Sequence, residues 1–177
     1  IYIAPNHIAY AAISVSLPNF LNGSNVTLLT STEVGEGLEL LSALASDLSM
    51  SRCDLKEARV RNVDFATNLQ VDPMRIRETI DLISHMSISR FRRSRYSDTS
   101  AYYQWNVRGE YSRFRTIAVY SKEHERNNRG KSPAEAASAA GIIRLEARFR
   151  KTDVVKRLAT SMGLLHPTVS GLINQTI

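Results

Sequence analysis

Between Ile142 and Arg150 the chain alternates without a break. Ile143, Leu145, Ala147 and Phe149 fall on one side of an extended strand, and Arg144, Glu146, Arg148 and Arg150 on the other. A second alternating stretch, Ser112 to Tyr120, lies across Gly109 from Tyr102 to Arg108, which predicts a hairpin. Lys56 to Leu69 and Ala9 to Ser16 also read as strands, the latter followed by a turn from Pro18 to Asn25 that contains Asn22-Gly23. The period changes elsewhere. Glu33 to Leu48 places Leu38, Leu41, Leu44, Ala45 and Leu48 at helical spacing. Asp72-Pro73 is a helix start, a capping side chain followed by proline at the first helical position. That helix is expected to run to about Ser89 with Ile76, Ile80, Ile83 and Met86 inward, and a further helix covers Asp153 to Ser161. Asn127 to Ala137 is a polar connection in which Pro133 can begin a short helix. The sum is an α+β fold, an antiparallel sheet with helices on one face, two of them expected over Leu145 and Phe149.

Composition narrows the classes. The length of 177 residues and the 43% hydrophobic content suit one domain with a real core. A single cysteine, Cys53, excludes an intrachain disulfide and a multi-cysteine zinc site. No apolar run is long enough to span a bilayer, so no membrane partner is expected. The chain opens on Ile1 and reads as part of something longer.

Charge changes the picture more. From Arg90 to Lys131 there are eleven Lys and Arg against four acids, so this segment carries the whole surplus behind the net +6. It also holds eight of the thirteen aromatic residues. Arginines interleaved with aromatics can neutralise a phosphate backbone and stack on unpaired bases, which points to Arg90, Arg92, Arg93, Arg95, Arg113 and Arg115 as DNA contacts. A solvated hairpin beside core aromatics is the plainer reading of the same residues.

Three positions carry candidate chemistry. Asp64 sits in mid-strand, where acids are disfavoured, and is either an exposed residue or a site residue. Glu146 lies in the Arg144-Glu146-Arg148 row, a pattern that suits a phosphate site with one metal-binding carboxylate as well as it suits a surface strand. Tyr120 alone reads as core. Lys122, two residues on and on the same strand face if the strand continues, gives it a neighbouring ammonium that can stabilise a phenolate or a phosphoryl transition state.

The order of these pieces carries a resemblance. Val60-Arg61-Asn62-Val63-Asp64-Phe65-Ala66, the helix after Pro73, Tyr103-Gln104-Trp105-Asn106 and Arg113-Phe114-Arg115-Thr116 come first. Tyr120-Ser121-Lys122-Glu123-His124-Glu125 and Gly141-Ile142-Ile143-Arg144-Leu145-Glu146-Ala147-Arg148 follow. Together they resemble the filamentous-phage gene II replication initiators over roughly Ser14 to Leu165. The resemblance implies a rolling-circle initiator fold and nicking and rejoining of one strand at a phage or plasmid origin through a 5′-phosphotyrosine. It implies Tyr120 as nucleophile with Lys122 beside it, and Asp64, Glu146 and Glu125 as ligands of Mg²⁺ or Mn²⁺, hard cations that prefer oxygen. Arg144 and Arg148 would stabilise the phosphate. Implied partners are single- and double-stranded origin DNA and a host helicase and polymerase, in the host bacterial cytoplasm.

The chain departs from related initiators at its histidines. It has no His-hydrophobic-His pair, since His7, His85, His124 and His166 are dispersed. The expected partition is a nuclease domain over 1–150 and a helical segment over 151–177. In that segment Val154 to Ala159, Met162-Gly163-Leu164 and Pro167 to Ile173 read like a helix-turn-helix with Thr168 and Ser170 opening the recognition helix. A non-enzymatic DNA-binding protein, or a folded but inactive initiator, therefore stands as the alternative.

Overall fold

The computed structural model describes residues 2–3, 11–47, 55–107 and 109–174. The chain divides into two compact units, Ile1–Arg52 and Cys53–Ile177. In the first, β1 (Tyr2–Ile3) pairs antiparallel with β2 (Ala11–Ala12). The strand expected over Ala9 to Ser16 thus stops at Ala12, and its positions 9–10 lie outside the described residues. The expected turn after Pro18 is a helix, α1 (Leu17–Asn22), with Pro18 in its first turn and Gly23 at φ 63° closing its end. Asn22-Gly23 thus marks the stop of a helix. The helix α2 (Ser31–Asp47) buries Leu41 and Ala45 of the expected period and leaves Leu44 exposed, while Leu48 lies outside the described residues.

The second unit holds a five-stranded antiparallel sheet in the order β3-β7-β6-β5-β4. Its strands are β3 (Asn62–Gln70), β4 (Phe91–Ser97), β5 (Ser100–Val107), β6 (Glu110–Ser121) and β7 (Ile142–Arg150). A 3₁₀ turn at Pro73–Arg75 leads into α3 (Ile76–Ser84). Asp72 caps that turn, its Oδ1 accepting from the Met74 N–H at 2.9 Å. Four short helices complete the unit: α4 (Lys122–Asn128), α5 (Pro133–Ala137), α6 (Thr152–Ser161) and α7 (Val169–Asn174).

The apolar row of β7 does what alternation requires. Ile143 packs with Ala101, Tyr103, Val119 and Ile80 of α3, and Ile76, Ile83, Phe91, Ile117 and Leu145 close round them. Leu145 packs on the cluster that contains Ile80 of α3, whereas Phe149 stacks edge-on against Phe65 with ring centroids 6.1 Å apart. The helix ends earlier than its period suggested. At its last turn the Ser84 hydroxyl donates to the Asp81 carbonyl at 2.7 Å and the His85 ring bonds the same oxygen at 2.8 Å. Side chains here compete for a backbone acceptor, and Met86 is left exposed.

Candidate functional site

Register decides which side chains share the other face of the sheet. Antiparallel partners project to the same side. Across β7, Arg144 faces Asn68 and Tyr120, Glu146 faces Ala66 and Ala118, and Arg148 faces Asp64 and Thr116. Asp64, Tyr120 and Glu146 therefore lie on one face, opposite the α3 side. Small Ala66 and Ala118 flank Glu146 and leave room for its diagonal neighbours to reach it.

They do reach it. The Tyr120 hydroxyl donates to Glu146 Oε1 at 2.5 Å. The second oxygen, Oε2, accepts from Arg148 Nε at 2.9 Å and Nη2 at 2.7 Å, a two-toothed grip from two residues along the same strand. Arg148 in turn stands 6.0 Å from the Tyr102 ring, which pairs with Ala118 from the neighbouring strand. Arg144, 3% exposed, donates from Nε to Asn68 Oδ1 at 2.9 Å. Asp64 is bound by Arg150.

The protonation states follow from that packing. Burial, then the bond to Glu146, pushes the Tyr120 phenol far above its ordinary 10. Burial alone would raise Glu146, but the Tyr120 and Arg148 hydrogen bonds outweigh it and hold the carboxyl below its usual 4.5. Asp64 goes the other way. Its partial burial and the neighbouring Glu146 charge raise it despite Arg150 and Arg148. The site is thus a proton-holding phenol beside a firmly ionised carboxylate.

Lys122 lies elsewhere than the strand face expected of it. The strand β6 stops at Ser121, whose hydroxyl accepts from the His124 N–H at 3.3 Å and caps α4. Lys122 is the first residue of that helix, wholly buried, with Nζ donating to Glu125 Oε2 at 2.8 Å. Nζ is still 5.9 Å from the Tyr120 ring centre. Burial lowers its pKa although Glu125 opposes the shift. Glu125 is also bound by Arg129.

The carboxylates expected to hold a cation separate into a pair and a single residue. Asp64 and Glu146 are diagonal neighbours on β3 and β7 and interact electrostatically. Glu125 is committed to Lys122 and Arg129 on α4. Among the described residues no three His, Cys, Asp or Glu side chains gather as a metal shell. Two carboxylates with phosphate oxygens nonetheless fit a common Mg²⁺ mode. Here Arg148 and Arg150 occupy the positions that such a cation would compete for.

The arginines expected to meet DNA sort by register. Arg92 pairs with Gln104 and Arg95 with Tyr102, which puts both on the Tyr120 face, while Arg93 pairs with Tyr103 on the α3 side. There Arg93 Nη1 donates to the Ser84 hydroxyl at 3.0 Å and so ties β4 to α3. Arg115 pairs with Phe149, away from the Tyr120 face. Arg90 and Arg113 lie against Trp105 and Phe114. The C-terminal helices are not closely coupled: residues 162–168 separate α6 from α7, longer than the three- or four-residue turn of a helix-turn-helix. The start of α7 is tied to the 55–60 segment by Val169 N–H to Ala58 O at 3.1 Å and Ser170 N–H to Lys56 O at 2.9 Å.

Sequence reasoning missed Asn68, Tyr102 and Arg150. Asn68 had a visible signal, since it shares strand parity with Asp64. Tyr102 and Arg150 needed the register.

Comparison with known families agrees with the order of motifs. The family model for the N-terminal part of the phage replication-associated protein, the gene II product, matches residues 3–163. The chain belongs to that family. No curated protein and no solved structure gave a match.

Proposed function

We propose that this member of the gene II replication-protein family nicks one DNA strand at a replication origin and keeps the 5′ end on Tyr120. The observation that carries the reading is the Tyr120–Glu146 hydrogen bond at 2.5 Å, with Arg148 gripping the other oxygen of the same carboxylate. A phenol held so far above its ordinary pKa does not attack as a preformed phenolate. It needs a base at hydrogen-bond distance, and Glu146 Oε1 is that acceptor. The phenolic oxygen forms a bond to phosphorus as the proton passes to Glu146. The bond from phosphorus to the 3′ oxygen breaks, and that oxygen leaves as a 3′-hydroxyl after taking up a proton. Rejoining is the reverse, a 3′-hydroxyl displacing the tyrosine oxygen.

Arg148 and Arg144 add positive charge beside the phosphate in a partly water-excluded place, where fixed charge stabilises a transition state most. Arg92 and Arg95, exposed on the same face, hold the flanking backbone. Where Mg²⁺ or Mn²⁺ is bound, Asp64 and Glu146 are the residues that would hold it, and it would neutralise charge on the phosphate. Lys122 acts from behind, fixing Glu125 and the start of α4 beneath the end of β6. A free 3′-hydroxyl calls for a polymerase, and the displaced strand for a helicase, both supplied by a bacterial host cytoplasm.

The test is incubation with supercoiled origin DNA, with and without Mg²⁺. Tyr120→Phe is expected to abolish the covalent protein–DNA adduct while DNA affinity stays within about two-fold, because phosphate contacts carry most of the affinity. An adduct that survives in Tyr120→Phe overturns the assignment. Binding without nicking by the unaltered chain favours the DNA-binding alternative.

A further inference from the structure

Two carboxylates and two guanidiniums stand together where β3 meets β7 on the Tyr120 face. Glu146 and Arg148 form one ion pair, Asp64 and Arg150 the other. The four charges cancel, but the two pairs are held differently. Arg148 gives Nε and Nη2 to one oxygen of Glu146, at 2.9 and 2.7 Å, and lies 6.0 Å from the Tyr102 ring. Arg150 gives Nη2 alone to Asp64 Oδ2. Its side chain is 49% exposed against 29% for Arg148, so Arg150 is the arm with room to move.

The backbone delivers Arg150 to that place. Arg150 is the last residue of β7 and pairs with Asn62. The next residue, Lys151, donates its N–H to Asn62 Oδ1 at 2.9 Å and stands at φ 105°, which non-glycine residues rarely adopt. The strand is thereby kept in register to its end, and its parity puts Arg150 on the face of Glu146 and Arg148. Asp64 stands directly opposite Arg148. Because Arg148 is turned to Glu146, Asp64 is left to its diagonal neighbour Arg150, within reach of so long a side chain.

A divalent cation shared by Asp64 and Glu146 would add two positive charges where the carboxylates are already balanced, beside two guanidiniums. A phosphodiester adds a negative charge and offers oxygens that Arg150 can bind in place of Asp64. An ion pair this exposed contributes little to stability, so the exchange costs little.

We propose that Arg150 is the resident counter-ion of the site: it occupies Asp64 in the DNA-free protein, and a DNA phosphate draws it away and opens Asp64 to a divalent cation. The place of the phosphate, and the choice of Asp64 and Glu146 as the carboxylates concerned, come from the proposed function, on which this rests. Cation and DNA then bind with positive coupling, and by linkage each tightens the other by the same factor.

The experiment measures Mn²⁺ binding to the unaltered chain by electron paramagnetic resonance at constant ionic strength, with and without an oligo-dT of about twelve nucleotides. Mn²⁺ taken up by the oligonucleotide alone is subtracted. The DNA-bound protein is expected to hold Mn²⁺ about ten-fold more tightly than the free protein, a usual size for such coupling. Fluorescence anisotropy of the labelled oligonucleotide should show the same factor when Mn²⁺ is added. Without DNA, Arg150→Gln should bind Mn²⁺ about ten-fold more tightly than the unaltered chain, with little further gain when DNA is present. Arg150→Lys keeps the charge and should keep most of the coupling. Asp64→Asn should abolish the gain, which locates the ion. The melting temperature of Arg150→Gln should stay within about 5 °C, as loss of an exposed ion pair implies. Equal Mn²⁺ affinity with and without DNA overturns the proposal, and that comparison needs no variant. A folded Arg150→Gln protein that binds Mn²⁺ no more tightly does the same, as does coupling that survives in Asp64→Asn. Coupling without a covalent adduct on supercoiled origin DNA would sustain the role of Arg150 and overturn the nicking reading. An adduct without coupling would do the reverse.

Discussion

Glu146 accepts from two unlike donors at once, a phenol on Oε1 and a guanidinium on Oε2. The guanidinium keeps the carboxylate ionised, and the carboxylate keeps the phenol protonated. Both shifts have consequences for pH. Because the folded Glu146 lies below 4.5, its contribution to stability is present above that pH and is lost as pH falls through the folded value. Because the folded Tyr120 lies above 10, its contribution is present below that pH and is lost as pH rises beyond it. Single-turnover cleavage measured against pH should therefore show its acid limb below 4.5, where Glu146 gains a proton. Arg148→Gln should move that limb upward, since the cation that holds the carboxyl down is gone. A limb that stays in place would show that Arg148 does not govern Glu146. At this scale the row Arg144-Glu146-Arg148 was readable from alternation alone, because a strand period is rigid. The Lys122 position was not: a strand continued past Tyr120 on paper puts it on the same face, but Ser121 caps a helix there.

Elements were legible where two faces differed in polarity. The row of apolar residues on β7 named its buried side, and Ile76, Ile80 and Ile83 named that of α3. The strand β4 was visible only as charge, because Phe91–Ser97 is an exposed edge strand whose arginines fall on both faces. Charged edges of that kind discourage pairing with other chains but erase the alternation that marks a strand. Entry into β7 depends on Gly141, at φ 76°, where an added Cβ would lie 2.5 Å from the Val71 carbonyl oxygen and 2.6 Å from Gln70 Nε2. The Val71 N–H donates to the Gly141 carbonyl at 2.8 Å, so the backbone cannot move aside without breaking the link between β3 and β7. Gly141→Ala is expected to cost about 2–4 kcal/mol in denaturant unfolding, strained backbone plus a clash against the Val71 backbone oxygen. Gly163 supplies the control. Its φ is 77° but nothing lies within 4 Å of the added Cβ, so Gly163→Ala should cost only about 1–2 kcal/mol. Equal losses at the two sites would mean that the clash at Gly141 is relieved by movement.

At the scale of the molecule, the sequence shows one domain's worth of core and a basic segment, and the structure distributes them unevenly. The division at residues 52 and 53 leaves all five strands of the large sheet in the second unit, together with the core around Ile80 and Ile143. That unit also contains Tyr120, Glu146, Arg148 and Asp64. The division was hidden in the sequence because α2 shows the same helical period as α3, and period alone does not say which sheet a helix serves. No helix among the described residues is long and apolar enough to cross a membrane. If the second unit carries its own core, a chain starting at Cys53 should unfold in one cooperative transition and keep the far-ultraviolet signature of a β-rich fold. Burial of the Tyr120 phenol supplies an independent check. At 7% exposure it should resist alkaline ionisation, measured by ultraviolet absorbance, well past its ordinary 10. The shortened chain and the full chain should behave alike in that titration. A shortened chain that melts without a cooperative transition would show that residues 1–52 are needed for the sheet to form. A cooperative melt with an early-titrating phenol would show that the sheet stands alone while the Tyr120–Glu146 bond depends on the first unit.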